Sequence, residues 1–126
     1  MKKEKPRVVI VEEENTFSGL AGYLPKFRYD VRALSFSEEA AGQAAGWKPH
    51  VVVSNLPGAA ALKICRGLRG GPGGPALRLL CLVGSRAEME FLKAFQAEAN
   101  AYLVKPVDEL AFTTQIDELF EERSAG

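Results

Sequence analysis

Five short runs rich in β-branched and aliphatic residues, Arg7–Val11, Tyr29–Leu34, His50–Ser54, Leu77–Val83 and Ala101–Val104, recur along the chain, with stretches of helical spacing between them. Apolar residues at consecutive positions suit a strand covered on both faces. His50–Ser54 is the most strand-like, with three consecutive valines entered from Pro49. Arg7–Val11 ends abruptly in three glutamates.

Between these runs the apolar period changes from continuous to helical. Thr16–Lys26 places Phe17, Leu20, Ala21 and Leu24 on one face, with Asn15 or Thr16 as N-cap and Pro25 as terminator. A second helix opens at Ser37, with Glu38 and Glu39 at its positive end, and stops at Gly46. Ala60–Leu68 aligns Leu62, Cys65 and Leu68, and Glu88–Glu98 turns Met89, Leu92 and Phe95 inward. The last helix, Asp108–Glu121, carries Leu110, Ile116, Leu119 and Phe120, with Asp108 as N-cap. Gly70–Pro75, "GGPGGP", reads as a mobile connector. It is a poor phosphate cradle, since no strand precedes it and no Lys-Ser or Lys-Thr pair follows.

Strand–helix pairs with short connections require parallel strands, right-handed crossovers and helices on both faces. The expected fold is α/β: a flavodoxin-like, doubly wound sheet of five parallel strands in the order 2-1-3-4-5. In such sheets the ligand site lies beyond the carboxyl ends of the strands, where the strand order reverses. That points to Glu12–Glu14, Asn55, Val83–Ser85 and Lys105.

With 126 residues the chain has room for one domain, with a core over about residues 7–122 and tails at 1–6 and 123–126. No separate output domain is expected within it. Sixteen basic residues balance sixteen acidic ones, so no global field favours direct nucleic-acid binding or an acidic membrane surface. The short basic cluster Lys2, Lys3, Lys5 and Arg7, interrupted by Glu4, reads as a solvated tail. No apolar run approaches the roughly 18 residues of a membrane span, and none reads as a signal peptide; the expected location is cytoplasmic. Cys65 and Cys81 lack CxxC spacing and have only His50 to join them, which favours buried reduced thiols over a disulfide framework or zinc site. Trp47 and His50 read as packing and capping residues.

From Arg7 to about Phe120 the chain resembles the receiver (CheY-like) domain of bacterial response regulators in two-component, phosphorelay signalling. "VVIVEEE" supplies Glu12 and Glu13 where the family has a magnesium-holding acidic pair, and "AYLVKP" supplies Lys105, Pro106 and, at the aromatic switch position, Tyr102. The resemblance implies a cis bond before Pro106 that aims Lys105. Two positions depart from the pattern. "KPHVVVSNLPG" puts Asn55 at the phosphate-accepting aspartate, and "RLLCLVGS" puts Val83 at the hydroxyl residue that contacts the phosphoryl group, with Ser85 two positions on.

A neutral amide cannot form an acyl phosphate. Losing a carboxylate, lengthening the acidic pair by a methylene each, and shortening the loop after Asn55 by about two residues all disfavour magnesium. Neither an enzyme activity nor a cofactor is expected. Lys105 is expected to form a salt bridge with Glu12 or Glu13, with Asn55 joining by hydrogen bonds.

The reading implied by the resemblance is a pseudo-receiver that binds a protein partner, or a second copy of itself, through the fourth helix, fifth strand and fifth helix. Glu88, Lys93, Gln96, Tyr102 and Lys105–Val107 are the expected contacts. Two alternatives stand beside it. One is a phosphorelay receiver accepting on Glu12, Glu13 or Ser54; the other is a flavin or nucleotide binder at the same site.

Overall fold

The computed structural model describes residues 4–16 and 18–125. Phe17, Lys2 and Lys3 lie outside the described residues. Five parallel strands, β1 (Arg7–Glu12), β2 (Asp30–Ser35), β3 (Val51–Asn55), β4 (Arg78–Val83) and β5 (Ala101–Val104), form one sheet in the order β2-β1-β3-β4-β5. Four α-helices accompany it: α1 (Ala40–Gly46), α2 (Gly58–Arg69), α3 (Arg86–Ala94) and α4 (Glu109–Ala125). This is the expected fold. No helix among the described residues is long and apolar enough to cross a membrane.

Alternation along each strand divides the core in two. Val9, Val11, Val52, Leu79, Cys81 and Val83 face α1, α2 and α3, while Val8, Ile10, Val51, Val53, Leu80 and Leu82 pack with Phe112, Ile116 and Leu119 of α4. Burial of each such aliphatic side chain is worth roughly 1.5–3 kcal/mol. Both faces of β1, β3 and β4 are therefore sealed, as the continuous apolar runs require.

The first expected α-helix does not occur among the described residues. Those of Thr16–Lys26 hold a 3-10 helix at Leu20–Tyr23, preceded by Gly19 in the left-handed region at φ 80°. Gly19, Gly22 and Pro25 within one window each cost helix stability, and the left-handed glycine stops an α-helix from starting at Thr16. Asn15 is likewise no N-cap: it takes φ 65° in a turn where the Thr16 amide donates to the Glu13 carbonyl. Leu20 and Leu24 still reach the core.

Other expectations shift by residues rather than elements. Ser37 heads a turn and α1 starts at Ala40; Lys48, not Gly46, takes the left-handed conformation after it, at φ 55°. Asp108 does cap α4, accepting the Ala111 amide at 2.8 Å. The buried stripe of α4 runs Phe112, Ile116, Leu119, so Leu110 sits off it and is 75% exposed. Phe95, expected inside, follows the last turn of α3 and is 51% exposed.

The Gly70–Pro75 connector is pinned, contrary to its composition. The Arg69 guanidinium donates to the carbonyls of Gly74, Leu77 and Glu98 and to Asn100 Oδ1. Gly74 is buried so tightly that an added Cβ would lie 2.3 Å from the Arg69 carbonyl oxygen. Only glycine permits that approach.

Candidate functional site

Because all five strands are parallel, their carboxyl ends meet at one pole of the sheet. Glu12 ends β1 and Asn55 ends β3, and the two are register partners on neighbouring strands. Lys105 follows β5, its amide donating to the Val83 carbonyl at 2.7 Å, and the Lys105–Pro106 peptide bond is cis.

The three polar side chains form a relay. Asn55 Nδ2 donates to Glu12 Oε2 at 2.7 Å, and Lys105 Nζ donates to Asn55 Oδ1 at 3.0 Å. The amide cannot be reversed, because its NH2 would then face an ammonium and its oxygen a carboxylate. Among the described residues no carboxylate lies within ion-pair distance of Lys105. The expected direct salt bridge is thus replaced by one relayed through Asn55. Register explains it: Asn55 sits on the strand between β1 and the β5 side, so its amide fills the gap the two charges would otherwise close.

Glu13 is exposed beyond the end of β1. Val83 is fully buried, paired with Val104 across the β4–β5 ladder. Ser85, the nearest hydroxyl to the Val83 position, caps α3: its Oγ accepts the Glu88 amide at 3.1 Å. Glu88 Oε1 in turn accepts the Gly84 amide at 3.3 Å, a reciprocal capping arrangement at the start of α3. Ser54 points into the interior at 3% exposure, its Oγ without a hydrogen-bond partner among the described residues. Only Leu56 and Pro57 separate Asn55 from α2.

Below the relay lies an open groove of about 490 Å³ lined by Ser18, Leu20, Tyr23, Asn55, Leu82, Lys105, Pro106 and Val107. No group of three or more metal-binding side chains occurs among the described residues.

No family model and no curated protein matches the chain. Solved structures do. A putative response regulator from Chloroflexus aurantiacus superimposes with a TM-score of 0.77 at 24% identity, over 93% of this chain and 99% of that one. The receiver domain of a sensor histidine kinase from Pseudomonas aeruginosa, solved with magnesium in its active-site cleft, gives 0.79 at 17% identity over 94% and 99%. The receiver domain of a modulated diguanylate cyclase from Desulfovibrio desulfuricans gives 0.77 at 22%, over 97% and 98%. The chain has the receiver fold.

In receiver-fold terms, the face expected to make contacts comprises α3, β5 and α4, the missing first helix having moved each helix number down by one. Lys93 lies over the Tyr102 ring, 5.6 Å from its centroid, and Val104 is 46% exposed beside it. Tyr102 is half-buried, and burial raises its phenol pKa. Gln96 is exposed at the end of α3 with φ 55°, while Val107 is half-buried in the groove. Lys93, Tyr102 and Val104 therefore share a surface; Glu88 and Val107 serve the α3 cap and the groove.

Two structural residues had weak sequence signals. Arg69, which no motif singled out, pins the connector, and His50 is the buried anchor of the amino-terminal segment, accepting the Arg7 amide on Nδ1 at 2.8 Å and meeting Glu4 through Nε2. A lone histidine at the start of a strand could have suggested the second.

Proposed function

We propose that the chain is a pseudo-receiver: a signalling module of the receiver fold that binds a protein partner without being phosphorylated. The relay Glu12–Asn55–Lys105 carries this reading. At the acceptor position stands an amide that has no nucleophilic oxyanion and whose one oxygen is already held by Lys105.

Magnesium does not fit this donor set. It requires near-octahedral oxygen ligands and favours carboxylates, whereas Asn55 turns its nitrogen to Glu12 and its oxygen to an ammonium. Binding the ion would require breaking both bonds. Of the other acceptors, Glu12 is engaged and Ser54 is buried away from any donor, while Glu13 lies exposed beyond the end of β1.

With the pocket closed on itself, signalling falls to the surface. The strip of exposed Lys93 and Val104 with half-buried Tyr102 between them offers a cation, an amphipathic ring and an aliphatic edge, a composition suited to a protein contact. A pull-down with the intact domain and with a Tyr102→Ala, Lys93→Glu variant tests it. Capture of the same partner by the intact domain alone, unchanged by a small phosphodonor, is expected; equal capture by both forms, or capture that depends on the donor, would contradict it.

A further inference from the structure

Cys65 on α2 and Cys81 on β4 bring their sulfurs to 3.6 Å in the interior, and both are free. They are 1% and 0% exposed, and neither takes part in the relay. We propose that this pair is a modification site: a dithiol that a small hydroperoxide converts to an internal disulfide tying α2 to β4.

The sulfurs are close. Closing their 3.6 Å separation to a bond of about 2.05 Å asks for an approach of roughly 1.5 Å. The two thiols also divide the chemistry between them. Either sulfur can donate the hydrogen bond between them. With Cys81 as donor, that bond and the Arg69 charge lower the Cys65 thiol against its burial, while the bond and burial push Cys81 up; in that arrangement Cys65 attacks and Cys81 resolves.

The step balances. The Cys65 thiolate attacks one peroxide oxygen, the O–O bond breaks, and the other oxygen takes a proton and departs as water from hydrogen peroxide, or as the alcohol from an alkyl hydroperoxide. Cys81 then attacks the resulting sulfenic sulfur, the S–O bond breaks, and water leaves. Two thiols are oxidised by two electrons and one peroxide is reduced.

The bond would close a loop containing the Gly70–Pro75 connector. Cys81 is also the register partner of Tyr102 on β5, so the link would form directly behind the strip proposed for contact. The modification itself does not depend on that contact.

The test exposes the folded protein, below its unfolding temperature, to hydrogen peroxide sufficient to oxidise free dithiothreitol completely. Intact mass should fall by two hydrogens, the thiol count in denaturant should drop from two to none, and the unfolding midpoint should rise on the order of 10 °C; dithiothreitol should reverse all three. In Cys81→Ser, Cys65 should form a sulfenic acid that dimedone traps, whereas Cys65→Ser should leave Cys81 unmodified. Retention of both thiols in the native protein, their oxidation to sulfonic acids, or a link only between two chains would overturn the proposal; these readouts need no variant to fold.

Discussion

Glu12 and Asn55 are register partners on adjacent strands, and their side chains join across 2.7 Å with the amide as donor. A carboxylate in place of that amide would face Glu12 as a like charge. The neutral residue is thus what allows the pocket to close without a counterion.

Asn55→Asp removes the donor and sets two carboxylates at hydrogen-bond distance. The expected cost is about 1–3 kcal/mol, read as a lowered urea midpoint. Magnesium should return part of it to the variant and leave the unaltered protein unchanged.

Gly74→Ala should destabilise by more than about 2 kcal/mol, since its Cβ would collide with backbone at 2.3 Å. Gly42→Ala, in α1 with nothing within 4 Å of the added carbon, should instead stabilise by about 0.5–1 kcal/mol. Paired denaturant curves distinguish a steric requirement from a general preference for glycine.

Arg69→Ala should cost about 2–3 kcal/mol by releasing the carbonyls of Gly74, Leu77 and Glu98 together. Amide exchange in residues 70–77 should accelerate more than elsewhere. Arg69→Lys should recover little, because one ammonium cannot span these acceptors.

Tyr29 gives the alkaline limb of stability. Burial, and then its 2.6 Å hydrogen bond to Asp117, push its phenol up to about 12. Below pH 10 both folded and unfolded forms keep the proton, and the contribution is complete. Between pH 10 and 12 the unfolded chain ionises first, so stability falls with a slope approaching about 1.4 kcal/mol per pH unit. Tyr29→Phe should flatten that limb in pH-dependent melts.

Period and punctuation made the sheet legible: Val51–Val53 could only be a strand sealed on both sides, and each helix after β2 lies within a few residues of its spacing. They misled where backbone conformation outweighed pattern. Leu20 and Leu24 have helical spacing and are buried, yet Gly19 at φ 80° prevents the α-helix. The glycine run looked mobile because composition carries no record of the side-chain contacts from Arg69 that hold it, to Gly74 and Leu77 nearby and to Glu98 and Asn100 some thirty residues on. At the site, the identities of Glu12, Asn55 and Lys105 were readable. The expected strand order already put Asn55 between Glu12 and Lys105; which way its amide turns, and that it holds both neighbours at once, depends on side-chain placement that sequence does not record.

Intact mass after incubation with acetyl phosphate and magnesium is the most direct test of a receiver fold that signals without phosphorylation. The unaltered protein should keep its mass through hours of exposure that fully label a phosphorylatable receiver domain. An acid-labile gain of one phosphoryl group, on any residue of the Glu12–Asn55–Lys105 pole, would contradict it.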